Sequence, residues 1–186
     1  MKKIITLALI GFAGMSSFVN VQALETGEVV DGTGVTPIEL TTSAATFNVT
    51  VPTALPIAVD TLGVASYATS AKITNYSHGA VEVKKIEVEA KNDWSLVKYD
   101  LDSVSSMKVD ASEIGLSIFD YETTGLSNNR EVFNVENETL IMTGKDVNSD
   151  EDELIIQYSA SVAPQSAQIT DLNVADVVFT IGWDAE

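Results

Sequence analysis

Residues 71–99 read AKITNYSHGAVEVKKIEVEAKNDWSLVKY. Ala71 and Ile73 alternate with Lys72 and Thr74. The turn residues Asn75, Ser77, His78 and Gly79 follow, and apolar and charged residues then alternate from Val81 to Ala90. Asn92-Asp93 interrupts the pattern before Trp94-Ser95-Leu96-Val97 resumes it. A two-residue period between turn clusters marks strands with one face buried and the other in water, because successive side chains of a strand point to opposite faces. Three consecutive strands in a meander are therefore expected at the middle of an antiparallel sheet.

The alternation contains one slip. Val81 and Val83 share one parity; Ile86, Val88 and Ala90 share the other. A regular strand would carry the second set to the wrong face. A β-bulge at Lys84-Lys85, which adds one unpaired residue, restores the phase. Two short strands joined by a bend are the alternative.

On the N-terminal side, Phe47, Val49 and Val51 predict a first strand ended by Pro52. Ile57–Val59, after Pro56, reads as a short edge strand, since proline cannot donate to a central ladder. On the C-terminal side, residues 101–112 form a polar loop with a brief helical turn, and Ile114, Leu116 and Ile118 a strand. A loop follows over residues 121–130, then short strands around Phe133 and around residues 140–142. Leu154, Ile156, Tyr158, Ala160 and Val162 give the longest clean alternation, and Val177, Phe179, Ile181 and Trp183 close the chain. About eight to ten short strands without an amphipathic helix predict an all-β domain over residues 47–186. The expected form is an antiparallel β-sandwich, Ig-like or jelly-roll, with a closed barrel as the alternative.

Residues 1–23, MKKIITLALIGFAGMSSFVNVQA, have the form of a secretory signal peptide: Lys2 and Lys3, a short apolar core, and Val21-Gln22-Ala23 as a small-residue cleavage site. The apolar run is shorter than the roughly 20 residues that span a bilayer. Residues 24–46, rich in Thr, Gly and acids, read as an exposed arm. They are either a frayed terminus or a strand donated in assembly. The chain carries 27 acidic against 10 basic residues, a net charge of −17. Such a surface repels nucleic acid and disfavours anionic membrane, while remaining compatible with cations or a basic partner. There is no cysteine, so neither disulfides, thiol catalysis nor thiolate zinc sites are expected. The C-terminal FTIGWDAE carries no sorting signal. The expectation is a secreted protein, extracellular or held non-covalently at the cell wall.

Catalytic signatures are sparse. His78 is the only histidine and sits in a turn; a solvated turn residue is its ordinary reading. The chain lacks G-x-S-x-G, H-E-x-x-H and phosphate-loop motifs, and no enzymatic activity is expected. The acidic stretch Asp146-Val147-Asn148-Ser149-Asp150-Glu151-Asp152-Glu153 begins like a calcium loop, with Asp146, Asn148 and Asp150 in first, third and fifth position and Asp152 adjoining. Glu151 replaces the turn glycine and Gln157 the bidentate glutamate of that pattern. Ca²⁺ at millimolar concentration is the one metal these oxygens suit; a solvated loop is the alternative. The sequons at Asn48, Asn75 and Asn137 are discounted as chance matches.

Two places resemble the WxL family of Gram-positive surface proteins. One is Trp94-Ser95-Leu96; the other is the closing strand, residues 175–183, which follows a strand ending in Val162-Ala163-Pro164. Phe179-Thr180-Ile181 stands where that family has its second Trp-x-Leu. The resemblance implies a β-rich domain held non-covalently on peptidoglycan, with Trp94, Leu96 and Trp183 as candidate wall or partner contacts. The chain is also similar in kind to camelysin-like matrix proteins, which polymerise through an N-terminal donor strand. Core packing is the competing reading for both tryptophans, since each buries a large area on a strand. The expected function is thus a non-enzymatic cell-wall-associated surface protein, with a self-assembling fibre or biofilm-matrix subunit as the alternative. A secreted enzyme or glycan-binding module, with a site built from surface carboxylates and aromatics such as Tyr67, Tyr76, Tyr99 and Tyr121, is a third.

Overall fold

The alternating runs become strands, and no α-helix forms among the described residues. The computed structural model describes residues 42, 44–60, 65–136, 139–145 and 151–184. The expected leader (1–23), nearly all of the expected arm (24–46), and Asp146, Asn148 and Asp150 lie outside them. The strands in chain order are β1 (Val49–Thr50), β2 (Ile57–Val59), β3 (Ala65–Tyr67), β4 (Lys72–Asn75), β5 (Val81–Ala90), β6 (Ser95–Leu96), β7 (Glu113–Ile118), β8 (Tyr121–Glu122), β9 (Arg130–Asn134), β10 (Ile141–Met142), β11 (Glu153–Ile155), β12 (Tyr158–Val162) and β13 (Ala175–Trp183). The count exceeds the expected eight to ten because two- and three-residue strands are too short to show a period. A 3₁₀ turn at Val104–Ser106 supplies the helical turn expected in the polar loop.

β5 is one continuous strand, and it carries the bulge. Its register with β13 pairs Lys85 with Thr180 and Val83 with Ile181, leaving Lys84 without an opposite residue. The extra residue keeps both hydrophobic sets on one face: Val81, Val83, Ile86 and Val88 are all buried. β13 lies along one side of β5, and β9 and β10 share the other. This layer faces a second built on β7, which pairs with β12 on one side and with β6 and β8 on the other. Ile73, Leu96, Ile114, Leu116, Ile118 and Ala160 meet the β5 residues in one core. The architecture is an antiparallel β-sandwich, with β6–β7 as its one parallel pairing among the described residues.

The expected meander over residues 71–99 does not form. β4 pairs with β1 and β11, β5 with β9, β10 and β13, and β6 with β7, so the three strands enter three sheets. The turn chemistry explains the first departure. Asn75 is fully buried, and its side-chain amide donates to Gly79 O (3.0 Å) and Thr143 O (2.8 Å) while accepting from Ser77 N (2.9 Å). Ser77 Oγ in turn accepts from Asn48 N (2.8 Å). These residues tie the chain to β1 and to the end of β10 instead of closing a hairpin. At the second break, Asn92 and Asp93 both have positive φ and Trp94 N donates to Lys91 O (3.0 Å), a tight reversal of the type I′ kind. Trp94 and Leu96 then enter the core, and Val97 N bonds to Ile114 O (3.0 Å), which commits the segment to β7.

The long alternation at residues 154–162 also divides. β11 pairs with β4 and β12 with β7, and Ile156-Gln157 turns the corner between them. Ile156 stays buried, and its N–H donates to Ala71 O (2.8 Å), so the inward parity survives the change of sheet. β7 is covered on its outer face too. A side chain at Gly115 would lie 2.7 Å from Tyr99 Cα and 2.8 Å from Lys98 O, so only glycine admits the crossing segment 97–100.

Candidate interaction surface

Strand edges carry unpaired main-chain donors and acceptors and are a sandwich's ready-made contact sites. Most edges here are short or blocked. β12 is closed by the antiparallel β2–β3 pair: Tyr67 Oη donates to Ala160 O (3.2 Å) and accepts from Ala160 N (3.1 Å). The rings of Tyr67 and Tyr158 pack edge to face at 5.5 Å, and Tyr158 Oη donates to Pro56 O (2.7 Å). The opposite edge of the β5 layer is divided between β9, five residues that include the charged Arg130 and Glu131, and the two-residue β10; that of the β7 layer is divided between the two-residue β6 and β8. β1 and β11 have two and three residues.

β13 differs from all of these. It is nine residues long and, among the described residues, pairs with β5 alone. It contains neither proline nor lysine, the usual edge-blocking residues, and its only charge is Asp176 near the start. Its inward residues Val177, Phe179, Ile181 and Trp183 are only half-buried, although their neighbours on β5 are fully buried. On the outer face Val178 is 49% exposed and Thr180 is exposed. Ring contacts hold two members of the apolar row. Phe179 packs edge to face with Phe119 at 6.4 Å, and Trp183 with Phe47 at 5.2 Å. Trp183 also lies over Gly79, where a side chain would come 3.0 Å from its ring.

The outer face of this sheet is charged but locally neutralised. Lys84 pairs with Glu82, Lys85 and Arg130 with Glu87, and Lys91 with Glu89 (2.8 Å) and Asp176 (3.3 Å). Hydrogen bonds from Lys85 and Arg130 hold the Glu87 carboxyl below its ordinary value. Asn173, then Lys91, does the same for Asp176, while Glu89 raises Lys91. Four of the chain's ten basic residues thus sit on one face, so an approaching acidic chain meets less repulsion there than a net charge of −17 implies.

Of the candidate contact residues, Trp94 (7% exposed) and Leu96 (0%) are core residues and present no surface. Trp183 is half-buried on β13. His78 is exposed. Among the described residues no group of three acidic or histidine side chains is placed to hold a metal. Asp152 accepts from Asn75 N through its main-chain oxygen (2.8 Å), and Thr143 N donates to Glu151 O (2.8 Å), pinning the base of the acidic loop. Asn75 is buried and cannot carry a glycan. Tyr99 Oη bonds Ser159 Oγ (2.6 Å), and Tyr76 lies 6.0 Å from Lys145 Nζ.

Sequence reasoning overlooked Glu131. It is a buried carboxylate that accepts from Thr124 N (2.8 Å), Thr124 Oγ1 (2.9 Å) and Gly125 N (2.8 Å), clamping the loop after β8. The available signal was an acid on the same strand parity as Phe133. No helix among the described residues is long and apolar enough to cross a membrane. The chain matches no family model, no curated protein and no solved structure.

Proposed function

We propose that the chain is a secreted, non-enzymatic surface protein that works by self-association, as a subunit of an extracellular fibre or matrix. The observation that carries this reading is the open nine-residue edge of β13 with its half-covered apolar row. Strand addition to such an edge supplies main-chain hydrogen bonds for affinity and pockets for alternate side chains for register. At a net ~0.5–1.5 kcal/mol per bond, even four bonds contribute several kcal/mol before ordering costs. The donor in this reading is residues 24–46 of a neighbouring copy. Association with peptidoglycan has to run through surfaces other than Trp94 and Leu96, which are buried. Trp183, on the same strand as the open edge, is the remaining candidate of the three.

Sedimentation velocity and negative-stain electron microscopy of the purified protein test the proposal. Concentration-dependent oligomers or filaments are expected. They should disappear in the Val178→Lys/Thr180→Lys variant, whose charges guard the edge, and in a chain lacking residues 24–46. Both variants should keep the circular dichroism spectrum of the parent. A parent that stays monomeric to about 100 μM, or polymers that survive both changes, would overturn it.

A further inference from the structure

An open groove of about 580 Å³ lies beside the β7–β8 hairpin, lined by Tyr121, Phe133, Asn134, Glu136 and Thr139. The Tyr121 and Phe133 rings form its apolar wall, with centroids 5.9 Å apart and planes inclined at 42°. The two come from strands that are not hydrogen-bonded partners: β8 lies against β7, and β9 against β5. The groove is therefore a product of the sandwich, formed where its two layers meet.

The polar groups among the described lining residues are open to solvent. Three other tyrosine hydroxyls, those of Tyr67, Tyr99 and Tyr158, are tied into hydrogen bonds within the fold. The Tyr121 hydroxyl, the Glu136 carboxylate and the Thr139 hydroxyl make no hydrogen bond or ion pair with another described side chain.

Tyr121 is also held in place by an uncommon turn. Phe119 (φ 49°) and Asp120 (φ 65°) both take positive φ between the paired residues Ile118 and Tyr121. Such hairpin turns favour asparagine and glycine, and a bulky aromatic there is strained, at a cost on the order of 1 kcal/mol or more. The strained residue is anchored: Phe119 N donates to Gln157 O (2.9 Å), and its ring packs on Phe179. The turn is over-determined by its surroundings and delivers Tyr121 to the groove in one orientation.

We infer that this groove binds a neutral saccharide. A sugar ring offers an apolar C–H face, which the inclined aromatic wall accepts, and a rim of hydroxyls that both donate and accept. Three groups suit that rim, because the Tyr121 and Thr139 hydroxyls both donate and accept and Glu136 accepts; Asn134, opposite Lys85, turns its side chain to the outer face of the sheet. A small number of convergent polar groups on an apolar wall is the general form of a small-ligand site. An anionic ligand is disfavoured by Glu136 and by the net charge of −17. Hydrolysis of a glycosidic bond ordinarily requires a second carboxyl group roughly 5–9.5 Å away. Glu136 is the only carboxylate among the described lining residues, so they present no such pair.

Isothermal titration of the purified protein with neutral gluco-, galacto-, manno- and N-acetylglucosamine oligosaccharides tests this. At least one series is expected to bind, with affinity lowered about tenfold by Tyr121→Ala and severalfold by Glu136→Ala. Thr139→Ala/Glu136→Ala, outside the strands, guards against misfolding of the Tyr121 variant, and the urea midpoint of each variant is measured alongside. Binding should be unchanged in Val178→Lys/Thr180→Lys, which separates the groove from the assembly edge. No heat with any series at about 10 mM sugar, binding indifferent to Glu136→Ala, or binding of spermidine in place of sugars overturns the inference.

Discussion

Two single-residue deletions in β5, three positions apart, should have opposite outcomes. Deleting Lys84 removes the bulged residue and leaves Val81-Glu82-Val83-Lys85-Ile86-Glu87-Val88, a perfect alternation. Val83 can then keep Ile181, and Lys85 can keep Thr180, in a regular ladder. The losses are the exposed Lys84–Glu82 pair and the bond from Val135 N to Lys84 O (3.0 Å). A net hydrogen bond is ~1 kcal/mol, so the variant should lie within about 2 kcal/mol of the parent. Deleting Glu87 breaks the phase instead. If the first half of the strand keeps its register, Val88 turns to solvent and the Glu89 carboxylate turns inward. Exposing Val88, now 1% exposed, forfeits about 1.5–3 kcal/mol, and an unpaired buried carboxylate costs several kcal/mol more. Regularising the bulge instead keeps Val83 opposite Ile181 and Val88 opposite Val177, but it turns the buried Ile86 outward and Lys85 into the core, at a similar cost. A loss of ~5 kcal/mol or more approaches the ~5–15 kcal/mol stability of an ordinary domain. Urea unfolding, read by the fluorescence of buried Trp94, separates the two. Equal losses for both deletions, or a Lys84 deletion that unfolds the chain, would refute the reasoning.

Two further outcomes follow from particular side chains. Asn75→Leu removes the partner of Ser77 N and of Gly79 O together with the donor to Thr143 O. At ~1–3 kcal/mol per buried group left unmatched, about 3–5 kcal/mol should be lost in the urea assay, and a change under about 0.5 kcal/mol would contradict the hub role. Glu87→Gln tests the ion pairs of the outer face. Lys85 and Arg130 depress the Glu87 carboxyl below its ordinary 4.5, so its contribution is present above that value and lost as pH falls through the folded-state value. The parent's advantage over Glu87→Gln should therefore be constant from about pH 5 to 9 and close in acid. An advantage that grows on acidification has the wrong sign. The effect is small because the pair is solvent-screened.

Facing was legible in this sequence; pairing was not. Parity is a local property, and it identified the buried residues of β5, the bulge between Val83 and Ile86, and the inward row Ile156–Tyr158–Ala160. Which strand lies beside which depends on residues far apart in the chain. Asn75 reads as a turn former, and its bonds to Thr143 lie 68 residues away, so nothing local distinguishes a hairpin from a crossing. The same holds for the long run at 154–162, where one parity persists while the sheet changes. The groove was half legible. Tyr121 was singled out as an aromatic, but Phe133, Asn134, Glu136 and Thr139 join it only through the packing of two layers.

Trp94-Ser95-Leu96 and β13 show the limit from opposite sides. A Trp-x-Leu spacing places both large side chains on one face of a strand, and that face can be a contact surface or a core. Burial of Trp94 and Leu96 assigns it to the core, where the pair serves packing whatever else the chain does. β13 has the same kind of alternation, Val177, Phe179, Ile181, Trp183, yet these residues remain half-covered. Alternation specifies which way a side chain points; coverage is supplied by neighbours, and the strand beyond β13 is missing among the described residues. An apolar row that is specified by sequence but only partly covered within its own sheet costs hydrophobic free energy for as long as it stays open. That cost is the physical reason to look for a further strand at β13 rather than for a ligand at Trp94.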